Sequence, residues 1–101
     1  MNIAISSEGN SLLSNIDSRF GRCSFFAFYD TETGVIKFMV NPAKELSEGA
    51  GPAAVQFIAS QSVGKVISGE FGGKIKSLLD LLKIEMQNES SKSISEIIKQ
   101  L

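Results

Sequence analysis

The stretch from residue 65 to residue 87 constrains the fold more than any other. A short apolar run at 65–68 (KVIS) precedes the Gly72-Gly73 pair; Ile75, Leu78, Leu79 and Leu82 then fall at i, i+3, i+4 and i+7, and a second short run, IEMQ, occupies 84–87. The stripe repeats at the helical period, and the flanking runs are too short for helices and suit buried strands. A strand, a helix and a strand in that order require a crossover, which points to a sheet at least partly parallel and covered by helices.

The rest of the chain extends this pattern. NIAIS at 2–6 reads as a buried central strand, and FFAFYD at 25–30 is aromatic enough for a second. The turn signal DTETG ends at Gly34, VIKFMV at 35–40 returns as a third strand, and Asn41-Pro42 stops it, so the second and third strands form a hairpin. Pro52 suits the first turn of a helix whose stripe is Ala53, Ala54, Phe57 and Ile58 and which runs to about Gln61. Ser93 with Glu96 makes a capping box ahead of Ile94, Ile97, Ile98 and Leu101. The order β-β-β-α-β-α-β-α predicts an α/β protein with one mixed sheet and three helices.

At 101 residues the chain has the size of a single module, 1–101, with one core system and no room for two. Ten basic against eleven acidic side chains leave a net charge of -1, which removes the basic surplus of a nucleic-acid binder. One cysteine cannot close an internal disulfide. The start, MNIAISSEGN, has neither the basic nor the long apolar region of a secretory signal, and this predicts a cytoplasmic protein. No apolar run approaches the roughly 20 residues that span a bilayer, so no membrane partner is expected.

The chemistry concentrates in SRFGRCSFF at 18–26, which holds both arginines of the chain and its only cysteine, whereas the eight lysines are scattered from Lys37 onward. This segment, together with EGAGPAAVQFIA and KVISGEFGGKIKSLLDLLKIEM, resembles three successive signatures of the dinitrogenase iron-molybdenum cofactor biosynthesis family, the NifX-like proteins and the C-terminal domain of NifB. The resemblance runs over nearly the whole chain. It implies a ribonuclease H-like motif fold with sheet order 3-2-1-4-5 and strand two antiparallel to the rest. It also implies a small non-catalytic accessory protein that binds or carries an iron-sulfur or iron-molybdenum cluster precursor between a donor and an acceptor protein.

In that topology the segment with Arg19, Arg22 and Cys23, the loop with Gly49 and Gly51, and the loop with Gly69, Gly72 and Gly73 all leave the carboxyl ends of parallel strands, where ligands of open α/β sheets bind. Two helices would begin there with exposed N–H groups and glycines that admit an anion. Arg19 and Arg22 would add charge-assisted bonds to it, and Cys23, its thiolate favoured by Arg22 and the helix ends, would be the one soft metal ligand. Plainer roles stand beside these: the glycines serve turns and packing, Cys23 is a small buried hydrophobe, and Arg19 pairs with Asp17 or Glu8.

Histidine is absent, although cluster-binding members of the family often carry it near the glycine loop, where this chain has LSEGAGPAA. Glu45 and Glu48 in that loop read as solvated charge. The missing histidine also suits an alternative, an interaction module of the same fold that has lost the cluster. A metal-dependent nuclease or phosphotransferase, suggested by the fold alone, lacks the acidic residue on strand one that a two-metal site needs. Neither a Ser-His nor a Cys-His pair can form.

Overall fold

The computed structural model describes residues 1–101, in the order β1 (Asn2–Ser7), β2 (Phe25–Asp30), β3 (Ile36–Val40), α1 (Ala50–Ser60), β4 (Val63–Ser68), α2 (Gly73–Leu81), β5 (Glu85–Asn88) and α3 (Ile94–Lys99). The strands form one sheet in the order β3-β2-β1-β4-β5. β2 runs antiparallel to β1 and β3, whereas β4 is parallel to β1 and β5 to β4, so β2 is the only reversed strand. The mixed sheet, its order and the three helices are as the segment pattern and the resemblance predict.

Strand alternation splits the apolar residues between two faces. Ala4, Phe26, Phe28 and Val66 point to the face covered by α1 and α2, where Ala54, Val55, Ile58, Ile75 and Leu79 complete the larger core. Ile3, Ile5, Ala27 and Ile67 point the other way and meet Ile94 and Ile97 of α3. Each fully buried Ile, Val, Leu or Phe stabilises the fold by about 1.5–3 kcal/mol.

Element ends depart from the sequence pattern where the backbone takes a left-handed turn. Ser62 (φ 58) turns the chain out of α1, so β4 starts at Val63 rather than Lys65, and Lys83 (φ 59) does the same after α2, so β5 starts at Glu85. α1 begins two residues before Pro52, because Gly49 at φ 70 swings the chain into the helix early.

Hydrogen bonds stitch the long connector after β1 to the loop after β4. Ser6 Oγ, fully buried, donates to the Asp17 carbonyl (2.8 Å) and lies 2.7 Å from Ser68 Oγ. The Gly69 N–H donates to the same Asp17 carbonyl at 3.3 Å, and the Phe20 N–H to the Glu70 carbonyl at 3.1 Å. Residues 18–22 are thereby held against residues 69–71, at the carboxyl end of the parallel strands. The β2–β3 turn lies at the other end of the sheet.

Candidate functional site

A cleft of about 390 Å³ opens at this edge, lined by residues 19–22 of the connector, 49–52 at the start of α1 and 70–72 ahead of α2. Both helices begin at its wall on a glycine, Gly49 (φ 70, ψ 24) and Gly72 (φ 83, ψ 154), and neither has a side-chain cap or an acidic residue in its first turn. α3, away from the cleft, is closed by the reciprocal Ser93–Glu96 box. The two helices at the cleft thus keep the unpaired N–H groups and partial positive charge that a cap would quench. Two arginines and one acid, Glu70, line the cleft, and one of the arginines, Arg19, is paired with Asp17. Phe20 and Phe71, ring centroids 5.6 Å apart, give it an apolar wall.

Five of the eight residues singled out in the sequence line the cleft: Arg19, Arg22, Gly49, Gly51 and Gly72. Arg19 is the surface pair of the plainer reading as well, with Nε 3.3 Å from Asp17 Oδ1 and its side chain 59% exposed. That bond and the Asp17 charge raise its pKa further. Arg22 is only partly free, because its Nη1 donates to the carbonyls of Lys44 (2.9 Å) and Leu46. Gly69 sits outside the lining, and a Cβ there would lie 2.5 Å from Ser18 Cα, so close backbone packing requires the glycine. Gly73 is the first residue of α2 and faces open space.

Cys23 departs from expectation. It has 0% exposure, belongs to the larger core and does not line the cleft. Burial, and after it the Asp17 charge, push its thiol up to about 12. Arg22 cannot favour the thiolate, since its guanidinium is turned to the loop after β3. An accessible, thiolate-rich Cys23 is therefore overturned: of the two readings of this residue, the buried hydrophobe describes its environment.

Sequence reasoning missed Asn41, which holds the cleft in shape, and named Asp17 only as a surface partner of Arg19. Buried Asn41 donates through Nδ2 to the carbonyls of Gly21 and Cys23, both at 3.0 Å, accepts the Ala43 N–H at 3.0 Å, and lies 3.6 Å from Cys23 Sγ. Buried Asp17 accepts the Arg19 N–H at 2.9 Å. The signal at Asn41 was its place before Pro42, which reads as a strand stop and conceals the clamp. Glu70 and Phe71 stood in plain view in SGEFGG, but nothing in their spacing marks them as cleft-facing. No group of three or more His, Cys, Asp or Glu side chains is arranged to hold a metal ion, and Glu45 and Glu48 are solvent-exposed on their loop.

Fold and cleft together define a class: a five-stranded mixed α/β protein with a glycine-lined cleft, carrying two arginines, at the carboxyl ends of its parallel strands. Comparison with known proteins makes the class specific. The chain matches the family described as dinitrogenase iron-molybdenum cofactor over residues 1–101, and it belongs to that family. An uncharacterised protein of Methanocaldococcus jannaschii is 31% identical over 98% of this chain and 83% of its own length. Among solved structures, the apo form of the orange protein from Desulfovibrio gigas superposes with a TM-score of 0.92 at 28% identity, covering 98% of this chain and 84% of that one. A putative NifB protein from Thermotoga gives 0.84 at 28% identity, covering 97% and 84%. No helix is long and apolar enough to cross a membrane.

Proposed function

We propose that the protein is a non-catalytic accessory carrier that takes an anionic metal–sulfur cluster, an iron-sulfur or iron-molybdenum precursor, into the cleft between the starts of α1 and α2. The observation that carries this reading is the pairing of two uncapped glycine N-termini with Arg19 and Arg22 around one cleft. Membership of the dinitrogenase iron-molybdenum cofactor family supports the choice of cargo. The donor set decides how such a cargo is held. With no ligand cluster at hand and Cys23 buried, the residues fit a cluster that brings its own sulfide, thiolate or organic-acid ligands, and they do not fit one that needs several protein thiolates. The cargo then binds by charge and N–H donation, which allows release to a partner without breaking a metal–protein bond. A donor and an acceptor protein in the cytoplasm complete this reading.

The strand order also supports the ribonuclease H-like label, but β1 (NIAISS) carries no acidic residue, and a two-metal reaction has no footing there. The test is anaerobic reconstitution with iron, sulfide and molybdate, followed by desalting, absorption spectroscopy and metal counting. Wild type and Cys23→Ala are expected to retain the same protein-bound chromophore and metal. A Cys23→Ala protein that loses both would show thiolate ligation instead, and a wild-type spectrum indistinguishable from free reagents would leave the interaction module as the better reading.

A further inference from the structure

The loop between β3 and α1 is thinly held. Its N–H groups at Lys44 and Leu46 donate to Asn41 and Ala43, and none of the N–H groups of residues 47–49 donates to a backbone or side-chain acceptor. What ties it to the rest of the molecule beyond Ala43 is one residue of the connector and its near neighbour: Arg22, through Nη1, and Ser24, whose Oγ accepts from Lys44 Nζ at 2.8 Å. The loop runs directly into Gly49, the first residue of the cleft wall that α1 provides.

Arg22 spends only one of its three nitrogens on this task. Nη1 donates to the carbonyls of Lys44 and Leu46, which uses both of its hydrogens, while Nε and Nη2 donate to no protein atom and Arg22 lines the cleft. The Nε/Nη2 edge is the planar fork that takes two oxygens or sulfurs of an anion side by side. One rigid guanidinium therefore holds a loop at one corner and keeps a bidentate edge without a protein partner, on a residue that lines the cleft.

We infer that Arg22 is a latch: it pins residues 44–46 beside the cleft, and an anion on its free edge tightens the same loop by fixing the guanidinium. The latch itself stands on the hydrogen bonds above, and only the coupling to an anion rests on the proposed function. The consequence is a site whose wall firms as cargo arrives and loosens as it leaves, with no large movement of the sheet.

Glu45 and Glu48 report on the loop directly, because both are exposed there and a glutamyl endopeptidase cleaves after them, while Glu32 in the β2–β3 turn serves as an exposed internal control. Without any added anion, Arg22→Gln is expected to be cut at Glu45 and Glu48 at least about ten times faster than wild type, because the loop loses two charge-assisted bonds, with the rate at Glu32 unchanged. Equal rates at Glu45 and Glu48 overturn the latch. If Arg22→Gln does not fold, Arg22→Met takes its place, since it keeps an apolar stem of similar length and has no donor for the carbonyls of Lys44 and Leu46. Molybdate, against chloride at matched ionic strength, is expected to slow cleavage at Glu45 and Glu48 in wild type and not in the variant. If calorimetry shows molybdate bound and the wild-type rates do not move, the coupling is wrong while the anion site stands. If molybdate does not bind, the anion reading fails and takes the coupling with it, and the variant comparison alone decides the latch.

Discussion

No solvent reaches the Cys23 sulfur, and this burial, with the Asp17 charge behind it, keeps the thiol protonated beside an arginine, although the Asn41 Nδ2 donor 3.6 Å away works in the opposite sense. Native Cys23 is expected to resist a small alkylating reagent at neutral pH and to react only on unfolding; rapid modification of the folded protein would contradict its burial. The raised pKa also has a sign in stability. Between the ordinary thiol value of 9.0 and the folded value of about 12, the unfolded chain has lost a proton that the native state keeps. This contribution is therefore fully present below pH 9 and declines as pH rises, by about 1.4 kcal/mol per pH unit across that window. Urea midpoints from pH 8 to 11 should fall more steeply for wild type than for Cys23→Ala, and parallel slopes would contradict the shift. Arg22 and Cys23 stand out together in the chain, which offers a buried reading of Cys23 beside a ligand reading but does not decide between them. What separates them is the clamp at Asn41 and the carbonyls at Lys44 and Leu46, partners about twenty positions away that no local pattern names.

At the level of elements, the helices divide by how their ends are closed. α3 spends a capping box on six residues, and Ser93→Ala is expected to cost about 1 kcal/mol, with faster amide exchange in α3 and little change in α1 or α2. An unchanged urea midpoint would mean that packing of Ile94 and Ile97 alone holds the helix. α1 and α2 go without side-chain caps, which leaves their starts available to a ligand at some cost in stability. Gly69 belongs to the packing of these elements: Gly69→Ala would set a Cβ 2.5 Å from Ser18 Cα, force the connector away from β4 and destabilise by about 1–3 kcal/mol in thermal unfolding. Every strand and helix was legible from periodicity and capping signals. Their ends were less so, because Ser62 and Lys83 take left-handed turns that side chains of their type rarely adopt.

The whole molecule is asymmetric from one end of the sheet to the other. Three loops that differ in sequence and share no motif meet at the carboxyl end of β1 and β4, while the opposite end offers an ordinary hairpin turn. The convergence was legible once the strand order was in hand, and Arg19, Arg22, Gly49, Gly51 and Gly72 do meet there. The packing roles of Gly69 and Cys23 were present there only as the plainer of two readings, since the choice between them depends on packing across the fold. Uptake of an anionic cluster at this one edge, by charge and N–H donation, is the role proposed for the convergence. It is tested most directly by amide spectra of the protein before and after anaerobic loading with iron, sulfide and molybdate. Amides at residues 19–22, 49–51, 53 and 70–74 are expected to shift or broaden, and to return on added salt, with the β2–β3 turn at 31–34 unmoved. Perturbation centred on the β2–β3 turn or on α3, or a loaded protein whose cleft amides keep their positions, would contradict it.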